Sequence, residues 1–390
     1  MIEKAFKGGP KYYAWLTLLA VLIVVGLILY IHQLNVGLGI TGMGRDVSWG
    51  LYIANLTFFV GVAASAVMLV LPYYLHNQKD FGRITALGEF LAVASVMIAG
   101  ISVTVDLGQP ARMVNLILHP TPNSPLFWDV VVLSIYALLN IVIGWTVLDA
   151  ERKGVNPPRW VKPLILLSIP WAISIHTVTA FIYSGLVAKP LWMTALLAPR
   201  FLASAFASGP ALLIIVGLII KRVTKFDPGT EALHKLGRIA TYGLIITIFF
   251  LIVEVFTVYY SNMPEHVNHF QYLFFGLDGA NNLVPWWWAA IILAVIAVIL
   301  FLSGATRAKE GFLALACVAV FVSMWIDKGL GLIVPGFIPS QTGEVIEYTP
   351  TVPEVFIALG VVALGALVLT VLYKITTSVM VEIEEEPQAG

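Results

Sequence analysis

The sequence predicts an all-α integral membrane protein of about ten transmembrane helices, two four-helix bundles plus two extra helices. Three observations predict it. Of the 390 residues, 59% are hydrophobic and 11% charged, and the mean hydropathy is +0.92, a balance no soluble globular domain carries. The apolar residues gather into about ten runs, each long enough at 1.5 Å per residue to cross roughly 30 Å of hydrocarbon. None of these runs alternates with the period of a barrel strand, and backbone groups in lipid must be satisfied within their own segment, so the runs are helices. Formal net charge is zero, so nothing in the bulk charge attracts nucleic acid.

The spans fall near residues 14–36, 50–75, 84–107, 127–149, 161–186, 200–221, 234–260, 284–302, 310–333 and 353–376. The first is too long for the apolar core of a signal peptide and lacks a small-residue cleavage site, so it is expected to stay as a span. Residues 1–376 read as one polytopic domain, with spans one to four over about 14–149, five to eight over about 161–302, and nine and ten over about 310–376. Residues 377–390 read as an acidic cytoplasmic tail. Of the 22 Lys and Arg residues, 17 lie on the termini and the even-numbered turns. Both termini are therefore expected in the cytoplasm, and the chain in the cell membrane.

That orientation makes the outer loops the long ones, at 37–49, 108–126, 187–199, 261–283 and 334–352. Long loops over a rigid bundle tend to carry function. Trp128, Trp192 and the aromatic stretch His269 to Phe275 belong either to an interfacial aromatic belt or to a docking platform for an outer partner. A weak internal repeat pairs Arg45–Ser65 with Arg200–Pro210, each an Arg followed by a helix rich in the small residues that let membrane helices approach closely.

Ionisable groups inside apolar spans are expensive and usually mark a cavity or a relay. His32, Asp106, His176, Glu254 and Asp327 all fall toward the outer side. After Asp106, Pro110 ends the helix and is expected to bring Arg112 back toward the carboxylate, as a structural ion pair or as the rim of a cavity. His176 lies six residues beyond Pro170, expected to kink its helix, and Gly209-Pro210 offers a matching break. An imidazole at that depth can hydrogen-bond a quinone oxygen and pass its proton, or merely satisfy a neighbour. Glu254 lies about two turns inside its span, as a proton carrier or as the partner of Arg45, Arg112 or Arg200. His32, Gln33 and Asn35 close the first span, and Asp129 sits beside Trp128. Asp327-Lys328 reads as an interfacial pair whose Lys snorkels outward. Glu89, on the inner side, reads as a proton entry or a helix end.

The segments Asp106-Leu-Gly-Gln-Pro-x-Arg112, Asn123-Ser-Pro-Leu-Phe-Trp128-Asp129, Ile175-His176-Thr177-Val178 with Trp192 and Pro199-Arg200-Phe201, and Glu254-x-Phe-Thr-x-Tyr-Tyr260-Ser together resemble the NrfD / polysulfide-reductase membrane-subunit family. Within it the chain is most similar to the DsrP-type subunits of DsrMKJOP-type complexes of sulfate reducers. The resemblance implies a quinone-interacting subunit that exchanges electrons between menaquinone or menaquinol and an extracytoplasmic ferredoxin-type iron–sulfur subunit docked on the outer loops. Other membrane and cytochrome subunits would complete the assembly. The common depth of these groups leads to the expectation that His176, Glu254 and Asp106 carry the quinone chemistry, with His32, Gln33, Arg112, Trp128, Asp129 and Arg200 around the head group. Family members often carry Trp where Tyr259 or Tyr260 stands, and a more polar stretch after the His. With Cys317 the sole cysteine, an intrinsic cluster or CxxCH haem is not expected.

Three other readings stand beside this one. His32 and His176 could serve as haem ligands in a b-type cytochrome, although diheme proteins place several His at facing depths. Broken helices and buried carboxylates also build the ion sites of secondary transporters. A structural anchor would need none of these groups.

Overall fold

Ten apolar helices, each long enough to cross a bilayer, make up the chain in the computed structural model, which describes residues 1–76, 78–340 and 342–385. They are α1 (Pro10–Val36), α2 (Leu51–Leu75), α3 (Lys79–Asp106), α4 (Pro125–Arg152), α5 (Val161–Ser184), α6 (Leu197–Val223), α7 (Thr230–Ser261), α8 (Val284–Leu302), α9 (Glu310–Phe337) and α10 (Val352–Glu385). The protein is a multi-pass integral membrane protein. Among the described residues the extended pairing is limited to one isolated bridge, Leu277 with Ala280.

Packing groups the helices as 2–5, 6–9 and the pair 1 and 10. There are two four-helix bundles, but the extra helices are the first and the tenth, not the ninth and tenth. The reason is contact surface: α9 is 78% buried, whereas α1 is 11% buried and faces outward along nearly its whole length. Helix α10 lies on α3 and carries α1 on its other side. Gly26 and Gly360 set that crossing, since a Cβ on Gly26 would fall 2.8 Å from the Gly360 Cα. The two bundles meet where α2 and α5 touch α6. There Gly209 approaches the backbone of Ser65 so closely that a Cβ would lie 3.2 Å away. The small residues of the proposed repeat serve this contact.

Pro170 and Pro210 do not interrupt their helices; α5 and α6 run continuously through both. A proline removes one hydrogen bond, and the neighbouring turns still close. The interruptions lie in α2 and α9 instead. Helix α2 leaves α-geometry at Ala64–Ala66 and ends in a π-helical turn at Leu71–Leu75 around Pro72. Helix α9 widens into a π-helical turn at Ile326–Leu330.

Ion pairs place both chain ends and two short turns at one end of the bundle: Lys4 with Glu382, Arg83 with Glu384, Lys225 with Glu385 and Lys235 with Asp80. Residues 377–385, expected in a tail, continue α10 because their acids meet these basic side chains. Residues 386–390 of that expected tail lie outside the described residues. This is the basic end, and the long loops cover the distal end.

The distal cover is packed, not draped. Trp192 is fully buried, donates its indole N–H to the Leu332 carbonyl at 2.8 Å and stacks on Trp49 at 5.6 Å, so it is a core residue and not part of an interfacial belt. The short helix Pro264–Phe275 buries His269, Phe270, Tyr272 and Leu273. His269 Nδ1 donates to the Pro335 carbonyl at 2.7 Å, and burial holds its imidazole at about 4, below the usual 6.5.

Gly360→Val is expected to force α1 off α10 and cost about 1–3 kcal/mol, seen as a lower thermal midpoint in detergent. His269 stays neutral in the fold where an unfolded chain binds a proton, so its contribution is complete above about pH 6.5 and is lost as pH falls toward about 4. The thermal midpoint should drop across that window in the wild type and drop less in His269→Gln.

Candidate functional site

Three polar clusters occupy the distal half of the bundles. The first forms where α1, α2, α3 and α10 converge. Gln33, 2% exposed, donates to the Val105 carbonyl at 2.7 Å and accepts the Tyr52 hydroxyl at 2.8 Å. Val105 precedes Asp106, so this bond fixes the end of α3 that presents the carboxyl. Asp106 is half-buried, and its Oδ1 is enclosed without a hydrogen-bond partner. Glu354, fully buried in the first turn of α10, accepts the Gly42 N–H at 2.9 Å and the Tyr348 hydroxyl. Tyr348 in turn accepts the Leu51 N–H at 2.8 Å. Burial, with Glu354 beside it, pushes the Tyr348 phenol well above the usual tyrosine range, so it stays a donor. Tyr52 lies within electrostatic reach of both Glu354 and Asp106.

The second cluster joins α2, α4 and α5. Asp129, 3% exposed, accepts the Thr179 hydroxyl at 2.5 Å. The hydroxyls of Thr57 and Tyr183 are hydrogen-bonded, and Tyr183 is within reach of both Asp129 and Asp106. Tyr183 also packs against Trp49, Trp192 and Phe201. One tyrosine therefore joins the second cluster to the aromatic seam leading to the third, within electrostatic reach of the first.

In the third, Arg200 of α6 holds Glu254 of α7 at 2.6 Å and Asp327 of α9 at 2.6 Å. Asp327-Lys328 is not an interfacial pair: the two residues are 7% and 4% exposed. The reason is position: all five residues of the π-helical turn Ile326–Leu330 are buried, packed between α2 and α8. Lys328 Nζ sits 4.3 Å from the Phe201 ring centroid, in space that a Cβ on Gly61 would enter at 2.9 Å. His176, 0% exposed, has no partner on either ring nitrogen and lies within electrostatic reach of Lys328. Arg200, Phe201, Ser204, Asp327 and Lys328 border a cavity of about 10 Å³, room for little more than a water. An apolar cleft of about 70 Å³ between α7, α8 and α9 reaches Asp327 from the other side.

The structure thus brings together Asp106 with Gln33, and Arg200 with Glu254, as separate centres. The Asp106–Arg112 pair does not form: Arg112 is exposed in a turn at Pro110–Val114, and Asp106 has no ion-pair partner within 4.0 Å among the described residues. The proline starts a short helical turn that carries the guanidinium away. His32 is exposed on the outward side of α1, opposite its buried neighbour Gln33. Trp128 is 46% exposed and spends its indole N–H on the Pro122 carbonyl at 2.7 Å. Tyr52, Tyr183, Lys328, Tyr348 and Glu354 are members that sequence reasoning missed. Only Lys328 carried a signal, an Asp-Lys pair inside an apolar run followed by Gly-Leu-Gly. Among the described residues no group of at least 3 His, Cys, Asp or Glu side chains is placed to hold a metal ion.

Arg200→Met is expected to leave two carboxylates buried without their cation, at a cost of about 3–5 kcal/mol. Denaturation in detergent should show it, with Arg200→Lys recovering only part.

Comparison with known proteins agrees with these features. The chain is 27% identical to a putative dimethyl sulfoxide reductase membrane subunit of Halobacterium salinarum, over 91% of this chain and 88% of that protein. It is 23% identical to the Hdr-like menaquinol oxidoreductase integral membrane subunit of Archaeoglobus fulgidus, over 94% and 93%. It is 21% identical to the menaquinone reductase integral membrane subunit of Nitratidesulfovibrio vulgaris, over 93% and 91%. The family model described as polysulphide reductase, NrfD, matches residues 39–339, from the loop before α2 to the end of α9, and the chain belongs to that family.

Proposed function

We propose that this chain is the quinone-interacting membrane subunit of a multisubunit respiratory complex. It exchanges electrons between menaquinone or menaquinol and an extracytoplasmic ferredoxin-type iron–sulfur subunit seated on the distal loops, in the respiration of sulfate or sulfur compounds. Cytochrome and other membrane subunits complete the assembly. The basic end then faces the cytoplasm, by the distribution of Lys and Arg.

The observation that carries the reading is the Asp106 carboxyl. It stands half-buried at the distal end of α3 with one oxygen unpartnered, beside a tyrosine and a glutamine already held in place. A buried polar atom without a partner is costly and asks for a ligand or water. A quinone head group presents two oxygens that accept hydrogen bonds when oxidised and donate them when reduced. It supplies a change of two electrons and two protons, and the residues here suit that alternation. Gln33 orients the Tyr52 hydroxyl through Oε1 while its own amide is tied to Val105. Tyr52 lies within electrostatic reach of Asp106 and Glu354, two carboxyls that can take or return a proton. Asp129 and Tyr183 offer a second proton-bearing pair one step inward. His32 and Trp128 border the approach from lipid, and Arg112 stands on the surface offered to the partner.

Glu254 and Arg200 hold one another and set the charge of the second bundle. His176, its ring nitrogens unpartnered among the described residues, is a hydrogen-bonding group for the head group at the border of the two bundles.

With the complex assembled, Asp106→Asn or His176→Ala is expected to lower menaquinol-dependent reduction of the partner about 10²-fold. Subunit composition should be unchanged. Full activity in Asp106→Asn would remove the head group from this position.

A further inference from the structure

The direction of each hydrogen bond in the first cluster follows from groups that can act in only one way. The Val105 carbonyl is among the last four of α3, so it has no helical donor, and it can only accept. It therefore fixes the Gln33 amide with Nε2 toward it at 2.7 Å, which turns Oε1 to Tyr52. That oxygen also only accepts. The Tyr52 hydroxyl must then spend its single proton on Gln33, at 2.8 Å, and it offers a ligand its lone pairs alone.

The other side of the cluster is fixed by the same reasoning. The Leu51 N–H, in the first turn of α2, has no helical acceptor and donates to the Tyr348 oxygen at 2.8 Å. Tyr348 accordingly turns its own proton to Glu354 Oε1. Glu354 Oε2 takes the Gly42 N–H at 2.9 Å and the Thr351 N–H at 3.4 Å, and the Glu354 N–H returns to Thr351 Oγ1 at 3.4 Å. This is the reciprocal box that Thr351-x-x-Glu354 makes at a helix start, here pinning the loop before α2 as well. A Cβ on Gly50 would run into the Tyr348 ring, so the glycine admits the tyrosine. Tyr52 is thus held from two sides, by α10 through Tyr348 and Leu51, and by α1 through Gln33.

Two acceptors remain for a ligand. Asp106 Oδ1 is enclosed without a partner, and an ionised carboxyl only accepts. The Tyr52 oxygen is the second. One amide joins them, since Gln33 bonds both Tyr52 and the residue before Asp106. An oxidised quinone brings a carbonyl oxygen, which also only accepts, so three acceptors would meet with no proton among them. A quinol brings an O–H, which can donate to either.

We infer that Gln33 makes this position selective for the reduced head group, by committing the Tyr52 proton and so turning Tyr52 into an acceptor. This selectivity rests on the reading of the Asp106–Tyr52 position as the quinone site. Gln33 is 2% exposed and acts through Tyr52, which makes it a positioning residue. The ligand oxygen held between Tyr52 and Asp106 is a hydroxyl, and a carbonyl is admitted there only when Asp106 itself carries a proton to donate. An amide suits the task because its donor and acceptor ends do not exchange with pH.

The test measures binding of three short-chain probes to the whole complex: a menaquinone, its quinol, and the dimethyl ether of that quinol, which keeps the ring but has no O–H. The quinol should bind about tenfold more tightly than the quinone, which places the midpoint of the bound couple about 30 mV above that of the free one. The ether should lose that advantage. Gln33→Met releases the Tyr52 proton, so quinone binding improves and the ratio falls toward one. Tyr52→Phe removes an acceptor, so the ratio falls through weaker quinol binding, and either variant is decisive if the other fails to assemble. Tyr30→Phe removes a hydroxyl one turn earlier on α1, within electrostatic reach of Tyr52 but outside this network, and keeps the advantage. Quinone binding as tight as quinol in the wild type, or an ether as tight as the quinol, overturns the selectivity. So does a ratio unmoved in both Gln33→Met and Tyr52→Phe while Asp106→Asn weakens binding. Failure of the underlying reading looks different: Asp106→Asn would leave the affinity of both forms at the wild-type value, or the wild-type complex would bind neither.

Discussion

A guanidinium clamped between two carboxylates joins α6, α7 and α9, and much of the second bundle depends on it. Arg200, Glu254 and Asp327 sit where water cannot reach them, each at most 8% exposed. Lys328 adds a second cation beside them, so two formal positive charges meet two negative ones. Such a group contributes little net stability once desolvation is subtracted, yet it cannot lose one member without stranding the others. It therefore acts as a constraint on geometry.

The first bundle answers the same constraint in a different way. Its buried acids, and Glu354 of α10 beside it, are not paired with cations among the described residues. Glu354 is satisfied by a backbone N–H and a tyrosine, Asp129 by a threonine, and Asp106, Glu89 and Glu151 each keep at least one oxygen without a protein partner. Carboxyls held by neutral donors, or by none, are free to exchange protons in a way that an Arg-clamped carboxylate is not.

Between them stands the aromatic seam of Trp49, Tyr183, Trp192, Phe201 and Phe337. It closes the distal end against water and brings loops from both bundles together. Lys189 packs 4.2 Å from the Phe337 ring centroid, and burial lowers its ammonium from the usual lysine range. A partner seated here would rest on a packed surface rather than on mobile loops.

The sequence by itself determined what the bilayer demands: ten apolar segments, their helical state, and the depth of Asp106, His176 and Glu254, because hydrophobic length and the cost of a buried charge are written in composition and spacing. The family was also legible, in short segments whose order is a property of the chain. Only the tertiary structure decided partnership. Whether Arg112 or Arg200 would meet an acid depends on how α6, α7 and α9 cross, and no local pattern encodes that. Gln33 and His32 are adjacent in sequence, yet one points into the bundle and the other outward, a choice made by where α10 packs. Glu354 and Tyr348 carry no local signal in the sequence, because their hydrogen bonds form only where the start of α10 meets the loop before α2 and the start of α2 itself.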